Sequence, residues 1–214
     1  RKAAEKPAGE LTAADLGKIT ELYLAHEKIS DVSPLKELKQ LKSLSLDDNQ
    51  VSNVSALKRL TQLTSLDLGQ NRISDVTALT DLTQLTNLSL YDNQIRDLSP
   101  LKELTQLIEL NLTDNLIGDI SALKELKQLT YLHLGNNQIS NVSALADLTL
   151  LKTLSLDKNQ IRDLGALKEL KQLERLFLQN NEIKNVSILA GFTKMDELHL
   201  SNNQIKDVSA LAEA

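Results

Sequence analysis

The chain contains no cysteine among its 214 residues, so it forms neither a disulfide bond nor a thiolate-bound metal site. No apolar run approaches the roughly 18–20 residues of a membrane-spanning helix, so we expect no membrane insertion by this chain. The chain also has few basic residues relative to acidic ones, with a net charge of −5. It lacks the clusters of Lys and Arg found in nucleic-acid binders, which argues against nucleic acid as a partner. Only 7 glycines occur and none builds a phosphate-binding loop.

The chain instead carries a 22-residue repeat. When units begin at residues 19, 41, 63, 85, 107, 129, 151, 173 and 195, positions 4, 6 and 17 are Leu in all nine. Position 9 is Asn in every unit except the first, where Glu27 replaces it. Self-similarity at a fixed period indicates a solenoid, in which neighbouring units share one core. The fixed positions therefore build the coil, and the variable positions are free to carry function.

Each unit predicts one strand and one short turn. Leu alternates with variable residues over positions 3–7, which indicates a half-buried strand. Strands 22 residues apart are expected to run parallel, and the return segment is too short for a full helix. Asp or Asn at position 13 favours a turn, and Leu at 17 and 20 fits one 3₁₀-like turn. Pro34 and Pro100 would occupy the first helical position.

The pattern L-x-x-L-x-L-x-x-N-x-I resembles the leucine-rich repeat family. The 22-residue period, with phrases such as NQISNVSAL at 137–145, is similar to the bacterial internalin type and to a related regulatory subunit of a protein phosphatase. The expected fold is α/β: a right-handed solenoid of nine coils, with a parallel sheet on the concave face and short 3₁₀ or helical turns on the convex face.

Two segments are predicted: an N-terminal tail and capping helix at 1–18, and nine repeats at 19–214, the last one truncated. Thr12 with Asp15 forms a capping-box pattern, and Leu11 with Leu16 a hydrophobic staple around it. Because the chain begins at Arg1 rather than Met and stops late in the ninth unit, we interpret it as a piece of a longer protein.

The outward positions 3, 5, 7 and 8 of the strand side hold seven of the eight Tyr, Phe and His residues. Tyrosine commonly anchors protein interfaces, so we interpret this face as a binding surface. The alternative is that aromatic residues simply favour strands. The seven residues are Tyr23, His26, Tyr91, Tyr131, His133, Phe177 and His199.

Charge is also unequal between the faces. Nine acidic and two basic residues give the same positions a net charge of −7, within a chain of −5. An acidic trough would steer a basic partner, although an exposed sheet also needs charge for solubility. Lys158, Arg175, Phe177 and His199 make the C-terminal third a mixed basic and aromatic patch. The acidic residues are Glu21, Asp47, Asp48, Asp67, Asp92, Glu109, Asp114, Asp157 and Glu197.

Catalysis and metal binding are disfavoured by spacing. His133 and His199 lie three coils apart, roughly 14 Å at strand spacing, and His26 is farther still; no two can share a metal ion. His133 has Asn111 and Ser155 beside it and no acid to orient it. The acids at 47, 48 and 67 are too few for the six to eight oxygens of a calcium site. We therefore expect no enzyme activity, no metal and no cofactor.

The leading hypothesis is non-catalytic protein recognition by a monomer, with a partner that carries a basic patch. The internalin resemblance implies a secreted or cell-surface protein. A cytoplasmic regulatory domain that docks on an enzyme, and a structural spacer or engineered scaffold, stay open as alternatives. The expected contact residues are Tyr23, His26, Asp67, Tyr91, Asp92, Glu109, Asp114, Tyr131, His133, Lys158, Arg175, Phe177 and His199.

Overall fold

Residues at positions 3–5 of every unit form a three-residue strand. In the computed structural model, which describes residues 13–213, these strands make one nine-stranded sheet in sequence order. The fixed Leu at position 4 points inward and its two neighbours point outward. The strands are β1 Glu21–Tyr23, β2 Ser43–Ser45, β3 Ser65–Asp67, β4 Asn87–Ser89, β5 Glu109–Asn111, β6 Tyr131–His133, β7 Thr153–Ser155, β8 Arg175–Phe177 and β9 Glu197–His199.

Every neighbouring pair of strands is parallel, and each residue pairs with the one 22 positions later. This confirms the predicted leucine-rich repeat solenoid and its coil length. A constant register has a functional consequence. Side chains at one repeat position form a row across the sheet, about 4.8 Å from one coil to the next.

The return path of each coil contains a 3₁₀ helix, as predicted. The Asp or Asn at position 13 accepts a hydrogen bond from the backbone N–H two residues later, for example Asp31 Oδ1 from Ser33 at 2.8 Å. Pro34 lies at the second helical residue, one place later than predicted. The helices are Ser33–Glu37, Ser55–Arg59, Thr77–Leu79, Ser99–Leu101, Ser121–Glu125, Ser143–Leu145, Gly165–Leu167, Ser187–Gly191 and Ser209–Glu213.

The Asn at position 9 links each coil to the preceding one. Asn115 is 6% exposed; its Nδ2 donates to the carbonyl of Leu90 at 3.0 Å, and its Oδ1 accepts from the N–H of Ile95 at 3.0 Å. Both partners belong to the coil before it. Glu27 stands in the first coil, which has no preceding repeat to bond, so Asn is not required there.

The chain enters the solenoid through a short helix, α1, at Ala13–Leu16. Leu16 is half-buried and packs against the hydrophobic core. Leu11 and Thr12, which complete the predicted staple and capping box, lie outside the described residues. The division into a cap at 1–18 and nine repeats therefore stays a prediction. Within residues 13–213, no helix is both long and apolar enough to cross a membrane.

Candidate functional site

The candidate surface consists of the outward side chains at positions 3, 5 and 7, with position 8 beside them. We call it the sheet face. Its side chains stand on a packed base, because the leucines between them belong to one continuous core and are buried in every coil except the first and the last. All of the predicted contact residues lie on this face, since the period places them there. The structure differs from a simple row of exposed groups in how these side chains contact one another.

Tyr91 lies flat along the sheet instead of projecting from it. Its ring occupies the space above Gly69, where any Cβ would overlap the ring. Its hydroxyl donates to Asp47 Oδ1, two coils away, at 2.8 Å. Partial burial raises the pKa of Tyr91 above its usual range, and the nearby carboxylate of Asp47 raises it further. The hydroxyl therefore stays protonated, and the ring is held in one place.

An acidic hollow of about 270 Å³ lies next to Tyr91, over β3–β5. Asp67 and Glu109 supply its charge, and Asn87 and Asn111 also line it. The Asn87 amide donates to Glu109 Oε2 at 2.8 Å, and the N–H of Gly69 donates to Asp67 Oδ1 at 3.1 Å. Both carboxylates are thus oriented, and no basic side chain lines the hollow.

At the N-terminal end of the sheet, Tyr23 is 65% exposed, and its hydroxyl donates to Glu21 at 3.2 Å. His26 contacts Asp48 on the next coil, with Nδ1 and Oδ2 2.6 Å apart. This hydrogen bond raises the pKa of His26 above its ordinary value of 6.5. His26 is therefore paired to a carboxylate and belongs to the acidic part of the sheet face.

Position 8 has a backbone constraint that the sequence did not reveal. In all nine coils its φ lies between 47° and 61°, the left-handed region in which Asn and Asp are the best tolerated residues after glycine. Asp92 and Asp114 fit this requirement, and the Asp114 carboxylate also accepts a hydrogen bond from Asn136. Lys158, at φ 51°, does not fit it. The backbone thus accounts for part of the acidic character of the face.

Five of the predicted residues form one cluster over β6–β9, which we call the aromatic–basic cluster: Tyr131, His133, Arg175, Phe177 and His199. The Phe177 and His199 rings are 5.0 Å apart between centroids and tilted by 44°. Burial lowers the pKa of His133 below its ordinary 6.5, and the charge of Arg175 lowers it further, while Glu109 and Asp157 oppose the shift. His133 is therefore neutral at pH 7.

Glu109 and Asp157 both act on the pKa of His133 through their charge. Among the described residues, however, Asp157 accepts from Ser155 and Glu109 accepts from Asn87, and no acid forms a hydrogen bond with His133. Lys158 stands at position 8 of one coil and Arg175 at position 3 of the next. Their grouping into one basic and aromatic patch stays a prediction.

Sequence reasoning also missed the small residues beneath this cluster. Thr153 and Ser155 point outward, yet they are only 4% and 8% exposed. Their neighbours in register are large: Tyr131 and Arg175 flank Thr153, and His133 and Phe177 flank Ser155. In the sequence, small residues that alternate with large ones at the same repeat position indicate that the small side chains are buried between their neighbours.

The arrangement offers little for catalysis. The Ser155 hydroxyl donates to Asp157 at 2.6 Å and not to His133, so the pair lacks the serine–histidine hydrogen bond of an activated nucleophile. No group of three or more His, Asp or Glu residues suited to a metal ion occurs in the part of the chain that the structure describes. What the face does provide is a rigid surface with ordered aromatic and charged side chains.

Comparison with family models now identifies the architecture. A model of two-copy leucine-rich repeats matches residues 39–81, 83–125, 127–169 and 171–213. The chain belongs to the leucine-rich repeat family. A comparison with curated protein sequences finds no match.

Among solved structures, two internalins of Listeria monocytogenes are similar to this leucine-rich repeat chain. Internalin F is 40% identical, with a TM-score of 0.92, over 94% of this chain and 60% of its own. Internalin C2 is 34% identical, with a TM-score of 0.82, over 99% of this chain and 84% of its own. The repeat type is therefore internalin-like, and the chain spans less than two thirds of internalin F.

A plant leucine-rich repeat ectodomain is a more distant relative. That of the Arabidopsis thaliana membrane receptor kinase GASSHO1/SCHENGEN3 is 26% identical, with a TM-score of 0.72, over 81% of this chain and 23% of its own. It was solved in complex with Casparian strip integrity factor 2. The repeat architecture is thus one that accommodates a bound partner in that receptor.

Proposed function

We propose that this chain is a non-catalytic recognition module that binds a protein partner on its sheet face. The observation that carries the proposal is the placement of seven of the eight Tyr, Phe and His residues on that one face. Tyr91, Tyr131, His133 and Phe177 are the proposed anchors. Tyr and other aromatic residues dominate the energetics of protein interfaces because they bury a large area with few rotatable bonds.

Preorganisation supports the choice of Tyr91 as an anchor. Its ring is fixed between Gly69 and Asp47 before any partner arrives. Association is weakened by the entropy lost when side chains become ordered, about 0.5–1.5 kcal/mol for each flexible side chain. A ring that is already held in place avoids most of that loss.

Charge supports a basic patch on the partner. The hollow over β3–β5 contains Asp67 and Glu109 without a lining cation, and Asp92 and Asp114 are exposed beside it. Complementary charge speeds association and selects the orientation of the partner. Because the backbone at position 8 favours Asp on its own, the hollow is the stronger half of this argument.

We further propose a secreted or cell-surface location, by analogy with the internalins to which the chain is 34–40% identical. Likeness of fold does not fix function. The partner of the whole protein therefore has to be found by experiment.

The test is affinity capture with this chain from host-cell surface extracts and from bacterial lysate, with mass spectrometry as the readout. A triple variant, Tyr91→Ala, Tyr131→Ala and Phe177→Ala, is compared with the parent. We expect the parent to retain a specific protein and the triple variant to lose it, while its circular dichroism spectrum stays unchanged.

A matched control carries three alanines on the opposite side of the solenoid, at Lys58, Lys124 and Lys168, whose side chains are 67%, 67% and 73% exposed. This control should capture the same protein as the parent. Loss of capture in the control, or its retention by the aromatic triple variant, would place recognition elsewhere and refute the proposal.

A further inference from the structure

The starting observation is a buried polar group without a partner. The Thr153 Oγ1 atom is inaccessible to solvent and forms no hydrogen bond. The residue is 4% exposed although it stands at an outward position of β7. A buried hydroxyl without a partner is destabilising by about the strength of the bond it lacks. The hydroxyl is therefore available for a hydrogen bond that a bound partner would complete.

Arg175 lies next to this hydroxyl on the same face. It is the register partner of Thr153 on one side and of Glu197 on the other. Glu197 does not pair with it, because its Oε1 contacts His199 Nε2 at 3.0 Å instead. No ion pair of Arg175 occurs among the described residues, although Arg162, on the other side of the coil, is held by Glu182 at 2.7 Å.

The surroundings of Arg175 suit the side chain of a partner. Neutral His133 can donate or accept a hydrogen bond near Ser155. The Phe177 and His199 rings provide a wall on one side, and Tyr131 lies on the other side of Thr153. The arrangement therefore combines a cation, an unused hydroxyl and an imidazole within an aromatic rim.

We propose that Arg175, Thr153 and His133 form a subsite for a carboxylate, namely the Asp or Glu side chain of the protein partner. The planar guanidinium of Arg175 matches a carboxylate with two parallel hydrogen bonds. Tyr131 and Arg175 flank Thr153 in register, and of these two Arg175 is the exposed one. As Arg175 turns toward a ligand it uncovers the hydroxyl, which then gains the bond that it lacks.

This inference rests on the proposed recognition function and makes it more specific. The acidic hollow over β3–β5 accepts a basic group, and the subsite over β7–β8 accepts an acidic one. The partner is therefore bound in one direction along the array, with its basic group toward β1 and its acidic group toward β9. Reversing it would place like charges together.

The subsite is tested with a small probe, so that the result does not depend on finding the partner. N-acetyl-glutamate N-methylamide is titrated into the chain while NMR follows the Arg175 side-chain N–H, the Thr153 amide and the His133 ring. The control probe is N-acetyl-glutamine N-methylamide, which has the same shape without the charge. We expect saturable shifts at these three residues with the glutamate probe and none with the glutamine probe.

Variants separate the subsite from general charge effects. Arg175→Gln is expected to weaken the glutamate probe about tenfold or more, the loss that follows when a charge-assisted hydrogen bond is removed. Arg162→Gln, which removes an arginine distant from the cluster, should leave its affinity unchanged. Thr153→Val keeps the shape of the side chain, and it should weaken the probe without lowering the melting temperature.

Equal shifts with both probes, equal loss in both arginine variants, or full affinity in Thr153→Val would each overturn the subsite. The proposed function would survive such a result if the aromatic triple variant still lost its partner. A saturable glutamate response without any captured protein would support the subsite and count against the proposed function. The two proposals are therefore tested separately.

Discussion

Replacing Asn115 by alanine is expected to destabilise the solenoid through a single backbone group. The Asn115 amide donates to the carbonyls of Leu90, Leu112 and Thr113, at 3.0–3.2 Å. Each of these carbonyls has another donor, so none is orphaned: Leu90 O accepts from Asn93 at 3.2 Å and Leu112 O accepts from Asn137 at 3.0 Å, and Thr113 O accepts from a backbone N–H at 2.9 Å.

The group that loses its partner is the backbone N–H of Ile95, which donates to Asn115 Oδ1 at 3.0 Å. Ile95 is fully buried, so water does not replace the missing acceptor. An unsatisfied buried donor costs about 1–3 kcal/mol. Because the three carbonyls keep other donors, we expect the free energy of unfolding to fall by about this amount, or the melting temperature by roughly 2–12 °C for a chain of this size.

The assay is thermal unfolding followed by circular dichroism, with Lys124→Ala as the control. The Lys124 side chain is 67% exposed, and a change there should stay within about 0.5 kcal/mol. Hydrogen exchange adds a local readout, since the Ile95 amide should exchange faster in Asn115→Ala while amides of distant coils keep their protection. Equal melting temperatures for the two variants, or an Ile95 amide that stays protected, would refute this account of the asparagine.

Three further outcomes are expected. Lys158→Asn should raise the free energy of unfolding by up to about 1 kcal/mol, because φ at this residue is 51° and Asn tolerates the left-handed region better than Lys. Chemical denaturation measures this change, and a lower stability of the variant would contradict the prediction. Gly69→Ala should displace the Tyr91 ring and bring its pKa down toward 10.0 in an ultraviolet titration, and an unchanged midpoint would count against the packing described. NMR titration should place the pKa of His133 below 6.5 and that of His26 above it. The stabilisation linked to His133 is then present above pH 6.5 and lost as the pH falls below that value, so an His133→Gln variant should lose less stability on acidification.

The fold was predictable from the sequence because every unit repeats the residues that determine it. Leu at positions 4 and 6 alternates with variable residues, so each unit specifies a strand, and the fixed period then specifies a parallel register. The inward leucine at position 4 is in register with the same leucine of the next coil, so the interpretation of one unit is checked by all the others. The asparagine at position 9 was also interpretable, because an amide both donates and accepts and so suits two adjacent coils.

The candidate site was predictable only as a set of positions. The period placed Tyr91 on the sheet face, but the contact that fixes its ring extends two coils back, to Asp47, and depends on Gly69 leaving room. That glycine stands alone in its unit and shows no local pattern.

Position 8 shows why residue type and backbone conformation have to be considered together. By residue type, Asp at this position contributes to an acidic surface. However, the positive φ there favours Asp and Asn for conformational reasons, whether or not a partner binds. The informative residues are then those that this backbone conformation favours less, among them Gln70 and Lys158. Lys158 occupies a left-handed position that Asn fills in three other coils, without an ion pair among the described residues, so local stability does not explain it. In a repeat protein, the same position can thus be compared between coils. A residue that the local backbone conformation disfavours is then a candidate for a role in binding and not in stability.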